Sequence, residues 1–216
     1  MIKIDKLTKY YPSRFGAKVV FRDLSIVLPS DRDIAILGAN GAGKSTLLRM
    51  IGGIERPNSG AIISNRRISW PLALSSGFHG NMSGRENVRF ACRVYGIGET
   101  RPYEDWVKDF SEIGENYELP VGGYSSGMRS KFNFAASMAF DFDTYLLDEI
   151  MSVGDRDFKR KCEDTLDAKR QNSNIILVSH QMSTIRRHCN AAIVLVYGQA
   201  EFYESVDRAI FRYETL

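Results

Sequence analysis

One short stretch of the chain, ILGANGAGKSTLLRMIGG over residues 36–53, carries residue types that bind phosphate. Its glycines, lysine and hydroxyl fit the pattern G-x-x-x-x-G-K-[ST], in which backbone N–H groups converge on phosphate oxygens, the lysine reaches the terminal phosphates and the hydroxyl can ligate Mg²⁺. The alternative is a glycine-rich turn that only packs a helix on a strand. We predict a nucleotide-binding phosphate loop, formed by Gly38, Ala39, Asn40, Gly41, Ala42, Gly43, Lys44, Ser45 and Thr46.

Two later stretches place polar side chains directly after apolar runs. TYLLDEI contains Asp148, which could hold the Mg²⁺ shell, and Glu149, which could polarise an attacking water. NIILVSH ends in His180. Because ligands of open α/β sheets bind at the carboxyl ends of the strands, these residues are expected on the same sheet edge as the phosphate loop. A helix cap for the acidic pair and a surface or core position for the histidine are the structural alternatives.

The elements that must position these residues can be read from hydrophobic periodicity. Strands are predicted for MIKIDKLTKYY, KVVFRDLSIVL, IAILG, AIIS and RRISW. From about residue 75 to 140 the pattern is helical, and Ser83 with Glu86 forms a capping box that opens a helix. TYLLD, NIILVS and AAIVLVY are continuous apolar runs, which are typical of parallel strands covered on both faces. The predicted fold class is therefore α/β.

Composition limits the classes of protein that the chain could be. A chain of 216 residues with 44% apolar content can bury one sizeable core. The net charge of +3 is too small to require nucleic acid, but charge alone leaves the partners open; no nucleic-acid partner is predicted from the motifs described below. Cys92, Cys162 and Cys189 lie far apart without a C-x-x-C pair, so we expect reduced thiols in the cytoplasm. No run approaches 18 apolar residues, and we expect a chain that neither spans a membrane nor is secreted.

The order of these motifs resembles the nucleotide-binding subunit of ATP-binding cassette (ABC) transporters. It runs from the phosphate loop through a helical insert, YSSGM, the apolar run with Asp-Glu and SVGD to the strand-ending histidine. The resemblance implies a P-loop NTPase core of mainly parallel sheet with an N-terminal antiparallel β subdomain. It implies a single domain, with 1–74 and 141–216 as the β-rich core and 75–140 as a helical subdomain, that hydrolyses ATP with Mg²⁺.

Further residue roles follow from the resemblance alone. YSSGM, residues 124–128, resembles the signature loop, which implies that Ser125 and Gly127 contact the γ-phosphate of ATP held by the other subunit; the alternative is an ordinary helix cap. Tyr11 resembles the aromatic residue that stacks on adenine, with Tyr10 as the alternative. SVGD, residues 152–155, resembles the D-loop across the dimer seam; the alternative for Asp155 is the cap of the helix DFKRKCEDTL. The family's magnesium-contacting glutamine would fall near Leu74, but residues 70–90 contain no glutamine, so that role is assigned to no residue.

The chain also resembles a narrower group of ATPase subunits. The resemblance rests on GFHGNMSGREN in the helical insert and on DEIMSVGDRDF, which is followed by a K-x-C. These subunits export capsular polysaccharide, O-antigen and teichoic acid from bacteria, and the short chain resembles the capsular type. The resemblance implies a homodimer at the cytoplasmic face of the inner membrane, working with an integral-membrane permease; the polysaccharide need not bind this chain. An apolar cluster near Phe78, His79 and Met82 is the predicted coupling patch, with a buried loop anchor as the alternative.

Three other functions remain as alternatives. A small-molecule kinase would share the phosphate loop but would not need YSSGM or His180. A non-transport ABC protein acting on ribosomes or DNA usually has two cassettes or a long coiled-coil insert. A regulatory cassette that only binds ATP would not need Glu149.

Overall fold

The computed structural model describes residues 1–14, 16–72, 78–148 and 154–216. The described elements, in chain order, are strands β1 (Ile2–Ser13), β2 (Gly16–Leu28) and β3 (Ile34–Gly38), helix α1 (Lys44–Ile51), β4 (Ser59–Ser64), β5 (Ile68–Pro71), α2 (Gly84–Val94), α3 (Arg101–Ser111), α4 (Ser126–Met138), β6 (Thr144–Asp148), α5 (Arg156–Arg170), β7 (Asn174–Val178), α6 (Met182–His188), β8 (Ala191–Val196), β9 (Gln199–Tyr203) and α7 (Val206–Glu214). Two short 3-10 turns, Gly114–Glu118 and Val121–Gly123, lie between α3 and α4.

The chain divides into two compact units. The first consists of Met1–Pro71, Phe142–Glu149 and Asn172–Leu216, and the second of Leu72–Asp141 and Ile150–Gln171. The predicted β-rich core differs from this division, because it includes all of 141–216, whereas α5 groups with the helical unit.

The first unit contains two sheets. β2, β1 and β4 form an antiparallel sheet in that order. The second sheet has the order β5-β6-β7-β3-β8-β9, in which all pairs are parallel except the β8–β9 pair at one edge. The predicted α/β class and mainly parallel sheet are therefore confirmed, whereas β9 was not predicted.

The parallel strands are mainly apolar because both of their faces are covered. Every residue of β3 and of β6 is buried. One core joins both sheets to α1, and its members include Leu7 of β1, Phe21 of β2, Ile36 of β3, Ile193 of β8 and Leu47 of α1. This core fixes the carboxyl end of β3 and the start of α1.

The second unit is built from α2, α3, α4 and α5. The predicted capping box at the start of α2 is confirmed, since Ser83 Oγ accepts from the Glu86 N–H at 3.2 Å and Glu86 Oε2 accepts from the Ser83 N–H at 2.8 Å. Glu104 of α3 is buried and accepts hydrogen bonds from Arg85 and Arg89 of α2. The hydrogen bond from Arg89 is the largest influence on Glu104 and, with the other donors, outweighs burial to lower its pKa to about 2.

The three cysteines, all within the described residues, are buried and form no disulfide. Burial raises the pKa of the Cys162 thiol to about 12 and also raises that of Cys92. Among the described helices, none combines the length and apolar character that crossing a membrane requires.

Candidate functional site

The phosphate loop lies between the last residue of β3, Gly38, and the first residue of α1, Lys44. Gly43 caps this helix with φ 100°, and a Cβ there would lie 2.5 Å from Val20 Cγ1 and 2.6 Å from Phe21 Cζ. Glycine is therefore required by both the backbone conformation and the space. A glycine cap offers no side-chain oxygen to the first N–H groups of α1, and together with the helix dipole this makes the helix start suited to an anion.

Lys44 is folded over the loop that precedes it. Its ammonium donates to the carbonyls of Gly38 at 2.6 Å and Ala39 at 3.1 Å, and the residue is only 8% exposed. The Ala42 N–H donates to the same Ala39 carbonyl at 3.1 Å, which closes the loop into a tight turn. A cation is thus held where the backbone N–H groups converge, an arrangement that can neutralise bound phosphate.

The strands that carry or precede two of the predicted polar residues end at the same sheet edge as β3, which leads into the phosphate loop. β6, β7 and β3 are parallel neighbours, and Asp148 at the end of β6 pairs in register with Val178 at the end of β7. His180 follows two residues later and is exposed, whereas Asp148 is 9% exposed. Gly38 ends the next strand, so the three strand ends converge as predicted. Glu149 lies outside the described residues, and its catalytic role stays a prediction.

Tyr11 lies beside the start of α1. Its hydroxyl is 3.5 Å from Thr46 Oγ1 and donates to Glu55, and the Lys9 ammonium lies 5.0 Å from its ring centroid. Tyr10, the alternative adenine-stacking residue, points to the other face of β1 by strand alternation and is exposed. The position favours Tyr11 over Tyr10.

A charged cluster around Glu55 supports Tyr11, and it was missed from the sequence. The Glu55 carboxylate pairs with Lys9 at 2.8 Å and with Arg49 at 2.9 Å, and Arg49 also donates to the Tyr11 hydroxyl at 3.3 Å. Burial is the largest single influence and raises the pKa of Glu55, but the donors Lys9, Tyr11 and Arg49 together outweigh it and lower the pKa to about 2. One signal was available, because strand alternation puts Lys9 and Tyr11 on one face.

The predicted signature loop caps a helix in the second unit. Ser125 is the N-cap of α4, and its hydroxyl oxygen accepts from the Met128 N–H at 3.2 Å. Ser125 and Gly127 are exposed, and a Cβ on Gly127 would meet nothing within 4 Å. Tyr124 is buried, its hydroxyl donates to the Tyr117 carbonyl at 3.3 Å, and burial raises its pKa to about 12. Ser125 therefore does cap a helix, as the alternative interpretation of YSSGM expected. Its hydroxyl can still donate its own hydrogen to another group.

The remaining predicted residues lie as follows. Asp155 caps α5 by accepting from the Phe158 N–H at 3.0 Å, which lowers the pKa of its carboxyl, and it lies 3.6 Å from the Lys131 ammonium.

The Phe78 ring packs edge-on against Phe132 with centroids 5.0 Å apart, so it anchors its own loop, while His79 is exposed. The positions near Leu74 and of residues 152–153 lie outside the described residues.

The parallel sheet, the glycine-capped helix after β3 and the polar residues after β6 and β7 define a P-loop nucleotide-binding protein. The family model described as ABC transporter matches residues 21–152. The chain is 50% identical over 216 residues to the polysialic acid transport ATP-binding protein KpsT of Escherichia coli, covering 99% of each chain. It is 42% identical to the capsule polysaccharide export ATP-binding protein CtrD of Neisseria meningitidis serogroup B, covering 100% of both. The chain therefore belongs to the ABC transporter family and is an ATPase.

The fold of a solved dimeric ATP-binding cassette, in a post-hydrolysis state bound to ADP and Pi, is similar to that of this chain. The TM-score is 0.76 at 18% identity, and the match covers 95% of this chain and 99% of the other. At this identity the likeness concerns the fold alone.

Proposed function

We propose that this chain is the ATP-hydrolysing subunit that powers export of a bacterial surface polysaccharide, a capsule, through a separate membrane permease. The observation that carries the proposal is the full-length relation to two capsule-type export ATP-binding proteins in a chain whose phosphate loop is complete. The proposed location is the cytoplasmic face of the inner membrane, reached through the permease.

In the proposed catalytic site, each group has one task. The N–H groups from Gly38 to Thr46 and the Lys44 ammonium hold the phosphates of ATP. His180 contacts the γ-phosphate, and Glu149 orients the attacking water. Tyr11 stacks on the base. Two copies of the chain enclose two ATP molecules, and Ser125 and Gly127 of the other copy complete each site.

The residues proposed for Mg²⁺ fit that ion by their chemistry. Ser45 offers a hydroxyl oxygen in the first turn of α1, and Asp148 a mostly buried carboxylate at the end of β6. Within the described ranges, no three His, Cys, Asp or Glu side chains come together as a metal site. This suits an ion held by one carboxylate, one hydroxyl and the substrate's own phosphates. When bound, Mg²⁺ supplies positive charge to the phosphate oxygens.

Export by this chain can be tested in a strain that lacks its gene. The strain is stained for surface polysaccharide after complementation with the wild type, with Lys44→Ala or with Lys159→Ala, a matched change at an exposed lysine of α5. The wild type and Lys159→Ala should restore the capsule, and Lys44→Ala should not. An intact capsule in the deletion strain would reject the proposed export function.

Glu149→Gln tests the catalytic assignment separately. The variant keeps the shape of the side chain but removes the base, so it should bind ATP and form persistent dimers without hydrolysis. The measurements are phosphate release and sedimentation with ATP. Phosphate release at the wild-type rate would remove Glu149 from catalysis.

The coupling patch is proposed on the exposed side of the loop after Gly77, and His79→Glu is the suitable variant because Phe78 is packed inside the unit. With the permease co-expressed, His79→Glu should lower recovery of the chain with membranes while ATP binding persists. Lys159→Glu is the control for a changed charge elsewhere. Equal recovery of both variants would place the patch elsewhere.

A further inference from the structure

Asn87, in the first turn of α2, is a buried polar residue that the proposed catalytic site does not use. It is 2% exposed. Its Oδ1 accepts from the His79 N–H at 2.7 Å, and its Nδ2 lies 3.1, 3.2 and 2.9 Å from the carbonyl oxygens of His79, Met82 and Ser83. A single amide side chain therefore fixes the backbone of residues 79–83 onto the start of α2.

The same loop is bonded to the segment that leads into YSSGM. The Gly122 N–H donates to the Gly80 carbonyl at 2.8 Å, and the Val121 N–H donates to the Met82 carbonyl at 2.9 Å. A Cβ on Gly122 would lie 3.0 Å from the Gly80 oxygen, so a side chain at Gly122 would press against the backbone of Gly80. We name this approach of Gly80 and Gly122 the glycine contact.

The segment between the glycine contact and Ser125 has little freedom to move independently. The Gly123 N–H donates to the Pro120 carbonyl at 3.0 Å, and the Tyr124 N–H donates to the Val121 carbonyl at 3.1 Å. From the other side, the guanidinium of Arg129 in α4 donates to the Gly122 carbonyl at 3.2 Å. Each N–H group from 121 to 124 is hydrogen-bonded, so a continuous hydrogen-bonded path runs from residues 79–83 to the residue before Ser125.

We infer that Asn87 and the glycine contact position the Ser125 hydroxyl for the ATP held by the other subunit. The inference rests on the proposed role of Ser125 in the composite site. It makes Asn87 a positioning residue, one that touches neither ATP nor the permease. It also gives the proposed coupling patch at His79 a direct backbone route to Ser125, without any contribution from the phosphate loop of the same chain.

Gly122→Ala tests the glycine contact, with Gly123→Ala as its matched control. The two glycines are adjacent and neither has positive φ, but a Cβ on Gly123 meets nothing within 4 Å. Both purified chains should bind a fluorescent ATP analogue within twofold of the wild type, at one nucleotide per chain. In sedimentation with Mg²⁺ and a non-hydrolysable ATP analogue, the dimer dissociation constant should rise about tenfold for Gly122→Ala and stay unchanged for Gly123→Ala. kcat should fall in parallel.

Asn87→Ala should give the same phenotype, and combining it with Gly122→Ala tests whether both act through one route. The double variant should be no weaker in dimerisation than the weaker single variant, because each change breaks the same chain of contacts. Dimerisation losses that add independently would overturn the shared route. If Asn87→Ala does not fold, Gly122→Ala against Gly123→Ala still decides the inference.

The outcomes separate this inference from the proposed function on which it rests. Gly122→Ala behaving like Gly123→Ala, while Gly127→Asp blocks dimerisation, overturns the positioning role alone. Wild-type dimerisation by Gly127→Asp would remove the role of the loop itself. A merely structural role for the contact would lower the nucleotide bound per chain and the melting temperature together. That pattern would also count against the inference, which expects full nucleotide binding.

Discussion

Two helix starts carry the proposed phosphate contacts, and they are built differently. α1 begins after Gly43, a cap without side-chain oxygen, and Lys44 lies over the same loop. α4 begins after Ser125, whose hydroxyl oxygen already accepts the Met128 N–H. The first helix start combines an N-terminus without a side-chain cap and a cation from the same chain, which together suit an anion. The second is a satisfied helix cap with one hydroxyl hydrogen left to donate.

The difference shows why one motif can be interpreted locally and the other cannot. The parts of the phosphate loop can be recognised together in the sequence, because the glycine cap, the lysine and the tight turn lie within nine consecutive positions, Gly38 to Thr46. Ser125 and Gly127 acquire a task only if a second chain brings its ATP to them. The following experiments test this contrast between a self-contained site and one that depends on a partner.

The largest effect is expected at the self-contained site. Lys44→Ala removes the buried cation that neutralises phosphate, so ATP affinity should fall by more than about 100-fold, equivalent to about 2.7 kcal/mol. Titration with a fluorescent ATP analogue measures it, with Lys159→Ala as the exposed control. An affinity within threefold of the wild type would mean that the backbone alone holds the phosphates, and the loop would then resemble the α4 cap more than we infer.

The next effect separates the two helix starts. Gly127→Asp places a carboxylate where the γ-phosphate of the other subunit should lie, so dimerisation and hydrolysis should be lost while ATP still binds the phosphate loop. Gly127→Ala is the steric control, because a Cβ there meets nothing within 4 Å, and it should fold normally. Sedimentation with ATP and phosphate release are the measurements.

Mixing two inactive chains tests whether the site is shared. A heterodimer of Gly127→Asp and Lys44→Ala has one composite site with both changes and one with neither. ATP-driven association should therefore return on mixing, and hydrolysis should return with it if one site can act alone. Mixtures that never associate would argue against sites shared between subunits.

A smaller effect is expected on the free energy of unfolding when Glu104, which joins α2 and α3 of the unit that contains α4, is changed. Because the folded pKa of Glu104 is about 2 and its ordinary value is 4.5, its stabilisation is present above pH 4.5 and is lost as the pH falls from 4.5 towards 2. Glu104→Gln should cost on the order of 2 kcal/mol at pH 7 and flatten acid unfolding in that window. Denaturant unfolding measures both. Glu115→Gln, whose side chain is 94% exposed, is the control and should change neither.

Acid alone cannot distinguish the two regions, since the pKa of Glu55 beside the phosphate loop is also about 2. The Glu104→Gln substitution can distinguish the two regions, because Glu104 hydrogen-bonds α3 to α2 within the second unit. An unfolding free energy of Glu104→Gln equal to that of the wild type would show that the ion pairs contribute nothing there.

What the sequence could predict follows the same division. The phosphate loop, the capping box at Ser83 and the buried strands depend on neighbouring residues, and they were predicted with nearly correct bounds. β9 was missed, because QAEFY at an antiparallel edge lacks a continuous apolar run. In the Glu55 cluster Tyr11 and Glu55 lie 44 positions apart, and the glycine contact joins residues 80 and 122, so no local pattern contains these pairings. Long-range backbone contacts such as these are set by the assembled fold.

The smallest effect is expected at Tyr11, and it sharpens the contrast because it concerns the base instead of the phosphates. Lys9 lies over one face of the ring, and Glu55 and Arg49 hold the hydroxyl, so a base that stacks on Tyr11 would have to use the other face. Tyr11→Phe keeps that face and should weaken ATP binding by no more than about threefold. Tyr11→Ala should weaken it by about tenfold, in line with the contribution of one stacked base. Tyr10→Ala is the control on the opposite face and should have no effect.

Inorganic tripolyphosphate lacks a base, so its competition for the site should be the same with Tyr11→Ala as with the wild type. Equal losses for ATP and tripolyphosphate would mean that Tyr11 acts by supporting α1 through Thr46, and the base would then be bound by other residues.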